Sequence, residues 1–323
     1  MPTVLITGGH KGIGLQASRT VAAIGGHDLL LCGRDLPEMQ RVAGYLRREF
    51  GTNAHAVPMD VSSLASVRDA AEACKRLVAQ GQVSPLSALL LNAGAQFPGA
   101  VRYSVDGYEL TFATNCLGHF LLLNLLLDEL TPNGRVVFTA SGTHDPETTD
   151  GKIVGKAVEP DALALANQGR SGTPINGGRR YTTSKLCTVM YAYELDRRLR
   201  KAGVNILSIA YDPGMIPETG LTEGVPKVVR ALLRTRAMKR VLRALGTTIG
   251  SLSFSGKMLG RIAIDPAYAN ASGKFLQSRN GRSIEQRSSA ASYDEDRAGK
   301  LWADSSELVK LTPKEQPKLI EKP

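Results

Sequence analysis

Tyr181 and Lys185 stand four residues apart in the run YTTSK, a spacing that puts a phenol and an ammonium on one face of a helix. A phenol with an unperturbed pKa of about 10 is a poor base near neutrality. An ammonium beside it stabilises the phenolate, and the same hydroxyl can give its proton to a carbonyl oxygen within hydrogen-bond reach. The pair therefore makes an acid–base site. Ser141 follows the apolar run RVVFTA and is suited to hold a substrate oxygen through its hydroxyl. Asn115 falls in a helical stretch, where an amide side chain is mildly unfavourable and asks for a reason. By breaking the helix locally it can seat a water that relays protons to Lys185. Taken singly, each residue also has a plain structural reading as a helix, turn or satisfied polar residue.

A glycine cluster gives the set its weight. Gly8-Gly9-His10-Lys11-Gly12-Ile13-Gly14 directly follows an apolar run and opens a helical pattern. Glycines let the backbone approach a pyrophosphate, and a helix N-terminus offers unpaired N–H groups and a favourable dipole. Gly8, His10, Lys11, Gly12, Ile13 and Gly14 are thus expected to line a dinucleotide, whose oxidised nicotinamide would further favour the Tyr181 phenolate. The type of dinucleotide is read at the end of the second strand, where NAD wants a carboxylate and a 2′-phosphate wants a cation. Here the strand ends Cys32-Gly33-Arg34, so Gly33 stands where an acid would. Arg34 offers a guanidinium, and Lys11 can approach from the other side. Both point to NADP(H), against the nearby Asp35. Asp60 can accept from the adenine amino group and Val61 can pack its face. Asn92, Ala93 and Gly94 end the fourth strand on the same side, where ligands of such sheets bind.

The elements that must position these residues alternate. Strands are expected at 4–6, 29–32, 54–59, 86–91, 135–140 and 205–211, with helices at 15–24, 37–50, 67–79, 108–130 and 181–202. This is an α/β pattern, and it predicts a single doubly wound Rossmann-type domain over residues 1–311, with a central parallel sheet of about seven strands and helices on both faces. The seventh strand is placed at 273–276. Two stretches interrupt the rhythm, an insertion at 142–180 with a short helix at 160–167, and a substrate-lid region at 213–264. A last helix, 293–309, precedes a tail at 312–323 expected to be flexible.

Bulk properties exclude several classes. Four scattered cysteines, Cys32, Cys74, Cys116 and Cys187, argue against a disulfide scaffold or a metal site, which leaves a reducing, cytoplasmic setting as the expectation. The N-terminus has no basic leader, and the longest apolar run elsewhere, 120–127, is far short of the roughly 20 residues a spanning helix needs. The net charge is +10, and residues 227–243 hold seven basic residues and no acid, interleaved with Val, Leu and Met. Such a segment can lie peripherally on an anionic membrane, cover an acidic ligand, or form a solvated helix face. No nucleic-acid module or aromatic interleaving accompanies the charge.

The motif set resembles the short-chain dehydrogenase/reductase family, whose pattern of TGxxxGxG, NAG, Asn, Ser and YxxxK is met by 7–14, 92–94, Asn115, Ser141 and 181–185. The resemblance runs over roughly residues 3–220. It implies that Tyr181 is the general acid/base, that Lys185 binds the nicotinamide ribose and lowers the tyrosine pKa, that Ser141 positions the substrate and that Asn115 supports the relay. It also implies cofactor contacts from Pro213, Gly214, Ile216 and Thr219, and a dimer or tetramer unless the insertions leave a monomer.

Beyond this core, the wide gap from Ser141 to Tyr181, the stretch PGMIPETGL and the C-terminal SGKFLQ and RAGKLWADSSELV look like light-dependent protochlorophyllide reductases and the retinol-dehydrogenase-like enzymes near them. The pigment enzymes carry a functionally important cysteine in the insertion, whereas 142–180 has none. The expectation is therefore an NADPH-dependent reductase of a bulky hydrophobic aldehyde or ketone, or a dehydrogenase of the corresponding alcohol, with an acidic group on the substrate to meet the cations of the lid. Reduction of a tetrapyrrole double bond, a nucleotide-sugar epimerase or dehydratase, and a non-catalytic NADP-binding regulator remain as alternatives.

Overall fold

The runs TVLIT, DLLLCG and LSALLL are almost wholly buried, as befits strands covered on both faces. In the computed structural model, which describes residues 1–170, 172–216, 231, 235–279 and 281–320, they form the centre of an eight-stranded sheet. Its strands are β1 Thr3–Thr7, β2 Asp28–Gly33, β3 Ala54–Pro58, β4 Leu86–Leu91, β5 Leu130–Thr139, β6 Leu207–Asp212, β7 Phe275–Arg279 and β8 Arg282–Gln286. Their spatial order is 3-2-1-4-5-6-7-8. The pairings as far as β7 are parallel, while β8 runs antiparallel to β7. The central parallel sheet of about seven strands that the sequence predicts is present, and β8 adds a polar, mostly exposed antiparallel edge strand with too little apolar alternation to announce itself.

Among the described residues, seven helices longer than twelve residues cover the sheet: α1 Gly12–Ile24, α2 Leu36–Phe50, α3 Leu64–Ala79, α4 Leu110–Glu129, α5 Gly177–Lys201, α6 Leu252–Ile264 and α7 Glu295–Leu308. Successive residues of β1 serve opposite faces. Val4 and Ile6 pack with Val21, Met39 and Leu259 of α1, α2 and α6. Leu5 joins the core built with Val67, Phe120, Val189 and Trp302 of α3, α4, α5 and α7. This is the doubly wound arrangement the alternating pattern predicts. It sets the carboxyl ends of β1, β4, β5 and β6 along one edge. On the first face α1 and α6 meet almost backbone to backbone, because a β-carbon on Gly256 would stand 2.3 Å from Gln16 Cβ.

The helix expected to run unbroken over 108–130 is not regular. It begins as Leu110–Phe112, widens into a π-turn at Ala113–Leu117, resumes as Gly118–Leu126 and tightens at Leu127–Glu129. By length and composition α4 could cross a bilayer, yet 94% of its most apolar window is buried inside the protein. Helix α5 starts at Gly177, capped by Asn176, whose side chain accepts from Arg179 N at 2.9 Å. Tyr181 therefore sits in the second turn rather than at the start.

The insertion carries two short helices, Thr149–Val154 and Ala162–Ala166, the second close to the expected one. The tail read as flexible from 312 is tied down as far as Ile320. Arg68 Nε meets Glu315 at 2.6 Å, and Asp128 accepts the backbone N–H groups of Lys318 and Leu319 at 2.8 and 3.1 Å. Leu319 and Ile320 pack on the core. These long-range partners lie some 190 to 247 residues away along the chain, so nothing in the local composition reveals them.

Candidate active site

The glycine loop leaves β1 at Thr7, whose hydroxyl oxygen accepts the N–H groups of both Asn92 and Ala93 at 2.8 Å. Asn92 Nδ2 returns a bond to Thr7 O at 2.9 Å. This bond laces the end of β1 to Asn92, a residue the sequence assigns to the cofactor. His119 Nε2 lies 3.0 Å from the Thr7 hydroxyl, and burial, helped by Lys185, lowers this imidazole to about 3, so it is neutral there.

The loop closes tightly. A β-carbon on Gly14 would stand 2.2 Å from Gly8 O, so a side chain at this position would fill the cradle. No side chain caps the N-terminus of α1, whose first N–H groups are left to meet an anion. At the end of β2, Arg34 and Lys11 are both exposed. Asp35 accepts Glu38 N at 3.1 Å and is committed to capping α2. His10 is buried, and its Nδ1 has no hydrogen-bond partner. An uncapped helix, an orphaned imidazole nitrogen, two free-standing cations and an acid turned to other work together fit the pyrophosphate and 2′-phosphate of NADP(H). Asp60 Oδ1 accepts from the Ser62 hydroxyl at 2.7 Å. Val61 is buried, with its carbonyl against Gly118.

The candidate catalytic residues gather where β4, β5 and β6 finish. Lys185 Nζ donates to Thr139 O, the last residue of β5, at 2.7 Å, and stands 5.9 Å from the centre of the Tyr181 ring. Burial lowers Lys185 to about 8. Burial also pushes the Tyr181 phenol up, more than its hydrogen bond with Ser141 brings it down, so the hydroxyl holds its proton in the resting protein. That state suits a proton donor in a reduction.

Asn115 occupies the π-turn, and its side chain is fully engaged. Oδ1 accepts Ala95 N at 2.9 Å, while Nδ2 reaches Ala95 O at 3.0 Å and Ser184 Oγ at 2.9 Å. A β-carbon on Gly94 would lie 3.2 Å from Asn115 Oδ1 and 3.6 Å from Lys185 Nζ. The NAG turn, the asparagine and the lysine thus form one cluster. The local break expected at Asn115 is present, and the amide fixes backbone there.

On the far side, Asp212 Oδ1 accepts Gly214 N at 2.8 Å and sets the turn that carries Pro213 and Gly214. Pro213 O accepts from Ser255 Oγ at 2.7 Å, and Ile216 is buried beside this turn. Thr219 and residues 227–230 and 232–234 of the basic segment lie outside the described residues.

Three supporting residues were not foreseen. His144 Nδ1 donates to Ser141 O at 2.7 Å and Nε2 accepts Ser289 N at 3.0 Å, which fixes a neutral tautomer and pins the serine's backbone. The spacing SGTH gave no hint, because Ser289 is distant in sequence. Asp150 accepts Thr248 N at 3.1 Å and joins the insertion to the stretch between β6 and α6; burial first, then Asp212, raises it to about 6. Arg180, next to Tyr181 in the chain, is buried with Glu109 at 3.1 Å and donates to the carbonyls of Ile175, Phe97 and Gly99, framing the loop after β4.

Known proteins resemble this chain over most of its length. Residues 2–148 match the short chain dehydrogenase family. The chain is 31% identical over 327 residues to a chloroplastic protochlorophyllide reductase of Daucus carota, a match covering 96% of this chain and 78% of that one. The likeness to the Chlamydomonas reinhardtii protochlorophyllide reductase is 32% over 324 residues, with the same coverage. Among solved structures, an uncharacterized protein from Mycobacterium Paratuberculosis superposes with a TM-score of 0.67 at 26% identity, over 96% of this chain and 94% of that one. A short chain dehydrogenase from Burkholderia cenocepacia J2315, solved in complex with NADP, shares the fold with a TM-score of 0.64 at 20% identity, over 87% of this chain and 97% of its own.

Proposed function

The chain belongs to the short-chain dehydrogenase/reductase family, and on that premise we propose that it uses NADPH to reduce a ring double bond of a tetrapyrrole substrate of the protochlorophyllide type. The observation that carries this reading is the extent of the likeness. It covers 95–97% of the chain, and so includes the insertion and the lid region that flank Tyr181 and Ser141, not the nucleotide half alone.

NADPH supplies a hydride when bound. The protein's task is to place the acceptor beside the coenzyme and deliver the matching proton. The protonated Tyr181 hydroxyl is the donor. The Lys185 ammonium, held by Thr139, stabilises the phenolate left behind. Ser141, kept in place by His144, orients the substrate edge. The product gains two hydrogens.

A second reading, reduction of a bulky hydrophobic aldehyde or ketone, draws on the hydrogen bond between Ser141 and Tyr181. Two hydroxyls converging on one point suit a single carbonyl oxygen. The lack of cysteine in 142–180 favours it as well. Purified protein with NADPH is to be assayed with protochlorophyllide in darkness and under illumination, and in darkness with a panel of aldehydes, ketones and quinones. Light-dependent conversion of the pigment to a product two hydrogens heavier is expected. Dark turnover of carbonyls with none of the pigment would replace the first reading by the second.

A further inference from the structure

The geometry points to His10 as the residue that makes the coenzyme site specific for a 2′-phosphate: its ring bars an acid from the end of β2 and, as an imidazolium, pairs with the phosphate. This inference rests on the NADP(H) reading of the glycine loop. It concerns why that loop carries a histidine.

The steric half comes from Gly33. A β-carbon there would stand 2.8 Å from His10 Cε1, closer than packed atoms tolerate, with His10 Nδ1 at 3.1 Å and Met39 Sδ at 3.2 Å also in tight contact. Position 33 is where an NAD-type site needs its carboxylate. The His10 ring already fills that space, so Gly33 and His10 are a complementary pair, and an acid cannot enter without the ring leaving.

The electrostatic half comes from the ring itself. His10 is 5% exposed, and its Nδ1 is buried without a hydrogen-bond partner. An unmet polar atom in such a place is costly unless a ligand compensates for it. The charged groups facing it are Lys11 on the glycine loop, and Asp35 and Glu38 at the start of α2. Asp35 caps that helix, and Glu38 is held by Arg41. Burial and Lys11 favour the neutral ring in the absence of ligand. A phosphate dianion arriving beside Lys11 and Arg34 reverses the balance and draws a proton onto the imidazole.

NADPH binding is therefore coupled to proton uptake, and NADH binding is not. Affinity for NADPH strengthens as pH falls through the imidazole pKa of the complex, and levels off below that of the free protein. The slope approaches, at most, about tenfold per pH unit for one coupled proton.

Dissociation constants for NADPH and NADH are to be measured by fluorescence titration across neutral pH, with calorimetry in buffers of different ionisation enthalpy to count protons. The expected result is a pH-dependent NADPH constant, a flat NADH constant, and loss of most of the proton uptake in His10→Gln. The phosphate's own titration persists in that variant and serves as the internal control. The Gly33→Asp variant should lose NADPH affinity without gaining NADH affinity, whereas His10→Ser combined with Gly33→Asp should gain NADH affinity. An unchanged proton count in His10→Gln, or NADH gained by Gly33→Asp alone, would overturn the inference while leaving the NADP(H) reading intact. Failure of the parent protein to bind NADPH at any pH would overturn both.

Discussion

The Lys185 ammonium donates to the Thr139 carbonyl at 2.7 Å, so the charge beside the Tyr181 ring is anchored to the last residue of a central strand. Its partner is a neutral carbonyl, which holds the ammonium in place without cancelling its charge. Burial then leaves it titrating at about 8, inside the working range of an enzyme.

An alkaline limb in the activity follows. Lys185 is charged below about 8 and neutral above it, so kcat/KM for reduction should fall as pH rises through that value. Lys185→Met should remove the limb together with most of the rate. Tyr181→Phe should lower kcat by about 10²–10⁴-fold, with NADPH affinity close to that of the parent, since the ring remains and only the proton is lost. Steady-state rates across the pH range and a coenzyme titration check both. A limb that persists in Lys185→Met would assign it to another group.

Asn115 makes a second test, of stability as well as rate. Its three bonds to Ala95 and Ser184 lie in a buried setting, and Asn115→Ala leaves the Ala95 N–H and carbonyl unmatched, while Ser184 keeps its bond to Tyr181 O. The expected cost is about 1–3 kcal/mol. A lower kcat should accompany it as the NAG turn loses its hold beside Lys185. Urea unfolding measures the first and turnover the second. Wild-type stability in the alanine variant would show that the π-turn holds itself.

Asp150 gives a pH-dependent stability of definite sign. Its carboxyl sits at about 6 in the folded protein against the usual 3.8, chiefly through burial. The folded state thus holds this proton more tightly than the unfolded chain. The resulting stabilisation is fully present below about 3.8 and is lost as pH rises through about 6. Asp150→Asn keeps an acceptor for Thr248 N–H and discards the charge. It should stabilise the protein near pH 8 by about 1–2 kcal/mol and have little effect near pH 3, below the unfolded pKa. Denaturant curves at the two pH values decide it, and an equal effect at both would place the cause elsewhere.

The parts of the site that could be read in the sequence are those specified by neighbours along the chain. The glycine loop and the Tyr181–Lys185 face depend on spacings of a few residues. The strands β1, β2 and β4 announce themselves by being apolar throughout. What stayed hidden depends on partners far apart in sequence. Asn115 looked like an oddity in a helix, and only Ala95 and Ser184 explain the π-turn. Asn92 reads as a ligand residue, and its second task, the bond to Thr7 O across the sheet, appears only in the fold. His144 means nothing until Ser289 is brought to it, and the tail looks loose until Arg68 and Asp128 are seen holding it. Strand β8 was missed for a different reason: an exposed edge strand need not be apolar.

The seam between α1 and α6 bears on how this protein can be re-engineered. The first of these helices begins at the phosphate loop, and the second continues from the stretch that follows Pro213, with Gly256 and Gln16 in near contact between them. Grafting a foreign 213–264 module to change what the enzyme accepts would therefore disturb the floor under the coenzyme unless the outward face of α1 were transplanted with it. The two ends of the site must be inherited together.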